Sequence, residues 1–160
     1  MSQPEPADEA YQKALRLAGR LLRRRAYSKE GLVARLTAEG CDRAAAEQAV
    51  ANLVKLGFLN ETRDIEHIIG AGLRRCYGSL RIRAKLEEAG YSSPMIDLVI
   101  RRELPLELET NAAVSWLRDT FRPTGKRDLA RAYAALARRG FPEDVARDAA
   151  EQVFGGEERP

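Results

Sequence analysis

The 160-residue chain is 44% hydrophobic and 32% charged but only 6% aromatic, which is enough apolar material for a buried core and, being rich in Ala, Leu, Arg and Glu, favours helix over strand. No run approaches the about 18 uncharged apolar residues of a membrane span, and Cys41 and Cys76 stand alone beside a single histidine, which excludes a disulfide scaffold and a zinc module. The net charge of +3 is too small to establish nucleic-acid binding, but it is unevenly spread: residues 1–57 carry 10 basic and 7 acidic side chains, residues 106–160 carry 9 and 10.

The start, Met1-Ser-Gln-Pro-Glu-Pro6, lacks the basic and then apolar order of a secretion signal, so a cytoplasmic protein is expected, with residues 1–7 a disordered tail. Apolar positions at helical spacing then predict a long helix Asp8–Arg25 on Leu15, Ala18, Leu21 and Leu22, and a shorter one Ser28–Glu39. After Asp42, a good N-cap, a third helix carries Ala46, Ala49, Val50 and Leu53. The same order returns in Glu61–Cys76, Ser79–Ala89 and a helix capped by Ser93 with Pro94 as its first residue, carrying Ile96, Val99 and Ile100. It returns again in Leu108–Phe121, Lys126–Arg139 and a helix entered at Pro142, after which residues 155–160 read as a second disordered tail.

Laid over itself, the chain shows Leu36-Thr-Ala-Glu-Gly40-Cys41, Leu86-Glu-Glu-Ala-Gly90-Tyr91 and Leu136-Ala-Arg-Arg-Gly140-Phe141 at a period of 50 residues. A core-facing leucine, a glycine able to adopt the left-handed conformation and an apolar residue that folds back on the helix end make a helix stop with a physical cause. The expected fold is therefore all-α: three tandem three-helix repeats at 8–57, 58–105 and 106–154. Such units bury little alone, and stacking them builds an elongated, curved body.

Enzyme readings fail for want of parts, and no catalytic residue, cofactor or metal site is expected. His67 is the only histidine, so no histidine-based triad or multi-histidine metal site can be assembled in one chain. Gly70-Ala-Gly72 lies inside an apolar-periodic helix, where it suits close helix packing. Pro123-Thr-Gly125-Lys126 lacks both the upstream glycine and the hydroxyl residue of a phosphate loop.

The functional candidates are two basic clusters: Arg20, Arg23, Arg24 and Arg25, and then Arg74, Arg75, Arg81, Arg83 and Lys85. Arg20 and Arg24 are four residues apart, as are Arg81 and Lys85, a spacing that projects each pair from one helix face toward phosphates or carboxylates. A plain solvated face, with cations favoured near helix C-termini, explains any one of them equally well. No aromatic interleaving suggests base stacking, and Arg43-Ala-Ala-Ala46 is a poor base reader, so any DNA contact is expected at the backbone.

Three further stretches carry a family resemblance: Ala26-Tyr27-Ser28-Lys29-Glu30-Gly31-Leu32 running to Leu36 and Gly40; Leu53-Val-Lys-Leu-Gly57-Phe58-Leu59-Asn60-Glu61-Thr62-Arg63; and Gly78-Ser79-Leu80-Arg81-Ile82-Arg83-Ala84-Lys85-Leu86 running to Gly90. Together they resemble the RecX family of regulatory proteins, which modulate the bacterial recombinase RecA. The likeness spans about Ala10 to Phe154, with Asn60, Asp64-Ile65 and Lys85 departing from the family's usual residues. It implies a nonenzymatic protein that binds the RecA–DNA filament, blocks its growth, and lowers ATPase, strand exchange and co-protease activity in DNA repair and the SOS response. Of the matched positions, Arg63, Arg81 and Arg83 are the implied contact candidates. A monomer is expected, with weak direct DNA binding and no membrane partner. The alternatives are a helical DNA-binding module that needs no recombinase, and a scaffold for another partner.

Overall fold

The glycine of each Leu-x-x-x-Gly stop takes a left-handed backbone in the computed structural model, which describes residues 6–155. Gly40, Gly90 and Gly140 have φ of +85°, +92° and +85°. Each glycine amide donates three residues back, Gly40 to Thr37 at 3.0 Å, Gly90 to Glu87 at 2.9 Å and Gly140 to Ala137 at 3.0 Å. The next amide donates to the leucine carbonyl, Cys41 to Leu36 at 3.0 Å, Tyr91 to Leu86 at 3.2 Å and Phe141 to Leu136 at 3.2 Å. The paired bonds satisfy carbonyls that a helix end leaves open and fold the apolar residue back on the leucine. All six of these side chains are buried.

Among the described residues the architecture is all-α, with no strand. The helices are α1 (Pro6–Leu22), α2 (Lys29–Ala38), α3 (Arg43–Lys55), α4 (Glu61–Arg74), α5 (Ser79–Glu88), α6 (Ser93–Glu103), α7 (Leu106–Thr120), α8 (Asp128–Arg138) and α9 (Glu143–Phe154). Of the two expected tails, residues 1–5 and 156–160 lie outside the described residues. Pro6 and Ala7 already belong to α1, and the Gly155 amide closes α9 by donating to the Glu151 carbonyl at 2.8 Å.

Several boundaries differ from expectation for local reasons. α1 stops at Leu22 rather than Arg25, because the Arg24 and Arg25 amides both return to the Leu21 carbonyl, at 3.0 and 3.3 Å, and the chain then leaves to bury Tyr27. α4 stops at Arg74, because Cys76 adopts φ +50° and serves as the left-handed residue of another stop, with Tyr77 N donating to Gly72 O at 2.9 Å. Ser93 is the first residue of α6 rather than its cap. α8 waits until Asp128, whose carboxylate collects the amides of Thr124 at 3.0 Å and Gly125 at 2.6 Å before the helix begins. These bonds, led by that from Thr124, hold the Asp128 carboxyl below the usual carboxylate range.

The helices gather into two compact units: residues up to Glu66 with Leu86–Ser92, and His67–Lys85 with the residues from Ser93 onward. In the first, α1 and α2 pack on α3, and the small side chains Ala14, Ala18, Ala45, Ala46 and Ala49 share one core with Leu32, Leu36 and Leu53. In the second, α7 and α8 pack on α9 around Ala113, Leu117, Leu136, Phe141 and Val145.

Each unit also seats a helix stop on a helix start. In the first unit Ser28 N donates to Ala89 O at 2.7 Å; in the second Gly78 N donates to Arg139 O at 3.1 Å, the same pairing moved 50 residues along at both ends. A side chain has no room at these seats. A Cβ on Gly31 would stand 2.5 Å from the Ala89 carbonyl oxygen, and one on Gly78 would stand 2.3 Å from that of Gly140. The buried Ser28 hydroxyl serves both sides of its seat, accepting from Gly31 N at 2.9 Å and donating to Gly90 O at 2.8 Å. Ser28→Ala should therefore lose an N-cap and a long-range bond together, costing about 2 kcal/mol in a urea titration; a loss of about 1 kcal/mol would show that the hydroxyl does only one job.

Candidate functional site

The first basic cluster lies in the first compact unit, but not wholly on a helix. Arg20 is on α1, whereas Arg23, Arg24 and Arg25 follow its last residue, so Arg20 and Arg24 are not both within the helix. Arg25 is engaged: its Nη1 donates to Glu88 Oε1 at 2.6 Å, and its guanidinium lies over the Tyr27 ring, 4.6 Å from the centroid. Arg63, exposed on α4, stands 3.6 Å from Asp64. Arg23 instead joins a row that sequence reasoning missed. Lys13, Arg16, Arg20 and Arg23 line one groove of about 730 Å³ with Leu15, Leu17 and Gly19. Their spacing of three, four and three residues is the step of a helix face continued into the final turn. The same periodicity used for apolar positions would have found them. Among the described residues the one carboxylate on this groove, Glu39, is already paired with Arg35 at 2.5 Å. Lys13 donates to the Gly40 carbonyl at 3.2 Å, while Arg16, Arg20 and Arg23 have no ion pair among the described residues.

The second cluster lies in the other unit. Arg74 ends α4 and Arg75 follows it, both exposed, while Arg81, Arg83 and Lys85 sit on α5. Arg81 and Lys85 keep the four-residue helical spacing and are exposed. Two of these arginines already have internal work: Arg81 stacks 4.0 Å from the Tyr77 ring centroid, and Arg83 bonds Asp97, holding that carboxyl below its ordinary range. Arg139, unremarked in the sequence, donates to the carbonyls of Cys76 at 3.0 Å and of Arg75, and stacks on Trp116. Glu109, likewise missed, is buried. Its Oε1 accepts from the Ser79 amide at 2.6 Å and caps α5, and burial raises its carboxyl against the opposing effect of that bond.

The discarded phosphate-loop motif has a physical explanation. The amides of Thr124 and Gly125 are taken by the protein's own Asp128 carboxylate, which Arg131 also binds at 2.5 Å. Gly72 meets the packing role expected of it, since a Cβ there would stand 2.6 Å from Ile82, whereas one on Gly70 would meet only the end of Arg74 at 3.2 Å. His67 is exposed on α4. No helix among the described residues is long and apolar enough to cross a membrane.

No family model matches the chain. The regulatory protein RecX of Stenotrophomonas maltophilia is 35% identical over 132 residues, covering 81% of this chain and 80% of its own. That of Acidithiobacillus ferrooxidans is 30% identical over 154 residues, 89% of this chain and 90% of its own. The chain belongs to the RecX family. The RecX protein of Pseudomonas fluorescens, 31% identical over 140 residues, covers 81% of this chain and 84% of its own.

In this RecX chain the motifs that carried the resemblance fall mainly on caps and cores. Tyr27, Leu32, Leu36, Leu59, Ile82 and Leu86 are buried, and Gly40, Gly57 and Gly90 take positive φ at helix ends. Most of the matched positions therefore specify how helices stop and seat, leaving Arg63, Arg81 and Arg83 as the matched charges.

Proposed function

We propose that this RecX protein binds the RecA recombinase–DNA filament and inhibits its extension, lowering ATPase, strand exchange and co-protease activity in DNA repair and the SOS response. The observation that carries this reading is identity of 30–35% to regulatory proteins named RecX, over four-fifths or more of both chains. The surface is compatible with it: exposed cations stand in both compact units, and several modest contacts on a repeating filament gain avidity without a deep pocket. The proposal includes a monomer in the cytoplasm and no cofactor. It keeps the three units at 8–57, 58–105 and 106–154 as modules that meet the filament, and the two basic clusters as its contacts.

A second reading, a helical module that binds DNA through phosphates, is favoured by the row Lys13, Arg16, Arg20 and Arg23. Titration into a RecA ATPase assay on single-stranded DNA separates the two. A filament regulator lowers the steady-state rate at substoichiometric amounts, with weak binding to naked DNA. An unchanged rate beside tight naked-DNA binding would replace it with the DNA-binding module.

A further inference from the structure

Beside the cationic row, α1 and α3 leave a mainly apolar groove of about 470 Å³, lined by Leu15, Leu22, Leu53, Leu56 and Phe58 with Gly19, Asn52 and Arg23. Leu15, Gly19 and Arg23 line both grooves, so the apolar trough and the row of cations adjoin.

The way α3 ends leaves this trough uncovered. Gly57 N donates to Val54 O at 3.0 Å and Phe58 N to Leu53 O at 2.9 Å, the same paired bonds as at the three Leu-x-x-x-Gly stops. At those stops the residue after the glycine is buried on its helix. Here that residue is Phe58, 68% exposed, beside Leu56 at 59%. The floor is unusual too. Gly19 is inside α1, where glycine costs about 1 kcal/mol against alanine, yet a Cβ on it would meet nothing within 4 Å. Gly31, Gly72 and Gly78 are crowded by their own chain, whereas nothing among the described residues uses the bareness of Gly19.

We propose that this face takes an acidic, amphipathic helical segment of a protein partner. Its apolar side chains would fill the trough between Leu15, Leu22, Leu53 and Phe58, and its carboxylates would meet Arg16, Arg20 and Arg23 along the edge. A nucleic-acid backbone would use the cations but has no apolar chain for the trough, whereas an acidic amphipathic helix uses both. The inference deepens the filament reading, on which it rests for the partner's identity, by giving the chemistry of the segment that docks.

The test uses the full chain and a labelled synthetic helix of about 18 residues, five turns, with leucines along one face and glutamates flanking them, followed by fluorescence anisotropy. Gly19→Leu puts a side chain into the trough from a position where a Cβ meets nothing within 4 Å, and Phe58→Ser removes the exposed ring. Each should weaken the peptide at least about tenfold, with Gly19→Leu melting no lower than the parent. A sequence-scrambled peptide and an oligothymidylate should not compete. No peptide binding, equal binding by Gly19→Leu, or displacement by the oligothymidylate at matched concentration would overturn the proposal, the last by assigning the face to nucleic acid. Failure of the filament reading shows separately, as a parent protein that leaves the RecA ATPase rate unchanged.

Discussion

Gly78→Ala is expected to destabilise the second compact unit by roughly 3–4 kcal/mol, lowering the unfolding midpoint by about 10 °C in a circular-dichroism melt. The new Cβ would sit 2.3 Å from both the Gly140 carbonyl oxygen and the Phe141 amide nitrogen. These are backbone atoms of a helix stop and cannot rotate away. Relief comes only from moving the start of α5 off the end of α8. That movement breaks Gly78 N to Arg139 O at 3.1 Å and Leu80 N to Gly140 O at 3.0 Å. Overpacking costs typically 1–3 kcal/mol, and each buried group left unpaired adds about 1–3 kcal/mol; relaxation keeps the total below the sum. A loss smaller than about 1 kcal/mol would mean that the seat is loose enough to accept a methyl group. Gly19→Ala is the matched control, since the same methyl enters open space.

The contrast between these two glycines shows what could be read from residues alone. Stops at Gly40, Gly90 and Gly140 are legible, because a leucine, a glycine four residues on and an apolar neighbour state the bonding pattern and the packing together. The stop at Cys76 is not, because the left-handed position is held by a residue that ordinarily avoids it, and the cue is the conformation itself. The end of α1 is missed for a related reason. Three arginines in succession are good helix formers, so local propensity extends the helix, and only the burial of Tyr27 and the seat of Ser28 on Ala89 pull the chain away. Asp128 caps the loop before its own helix, a use that its spacing to Thr124 permits but does not declare.

The charges are legible as a composition and not as a surface. Counting arginines finds Arg81 and Arg83, but whether each is engaged depends on Tyr77 and Asp97, partners 4 and 14 residues away. Lys13 and Arg16 escape notice because they stand apart in a helix read for its apolar stripe. The groove that unites them with Arg20 and Arg23 exists only once α1 is built.

If exposed, unengaged cations dominate filament contact, alanine at Lys13, Arg16, Arg20 and Arg23 together should weaken binding to a preformed RecA filament about 100-fold. Four contacts of about 0.7 kcal/mol each, within the range of exposed ion pairs, make about 3 kcal/mol. The fold should survive, since among these four only Lys13 makes a bond within the described residues, to the Gly40 carbonyl. Alanine at Arg74, Arg75, Arg81 and Arg83 should weaken binding less, about tenfold. To meet a partner Arg83 must share or release Asp97, and Arg81 must leave the Tyr77 face, so part of each new contact is offset by one lost. Salt then identifies what the α1 row touches. Each phosphate contact on single-stranded DNA contributes about 0.7 to the log–log slope of affinity against salt, so a row on phosphates loses about 3 from that slope when removed. A row on carboxylates releases no condensed counterions from DNA, and its removal should change the slope by less than about 1. A larger loss from the second quadruple variant than from the first would move the contact surface to α5, and would show that the internal partners of Arg81 and Arg83 are given up at little cost.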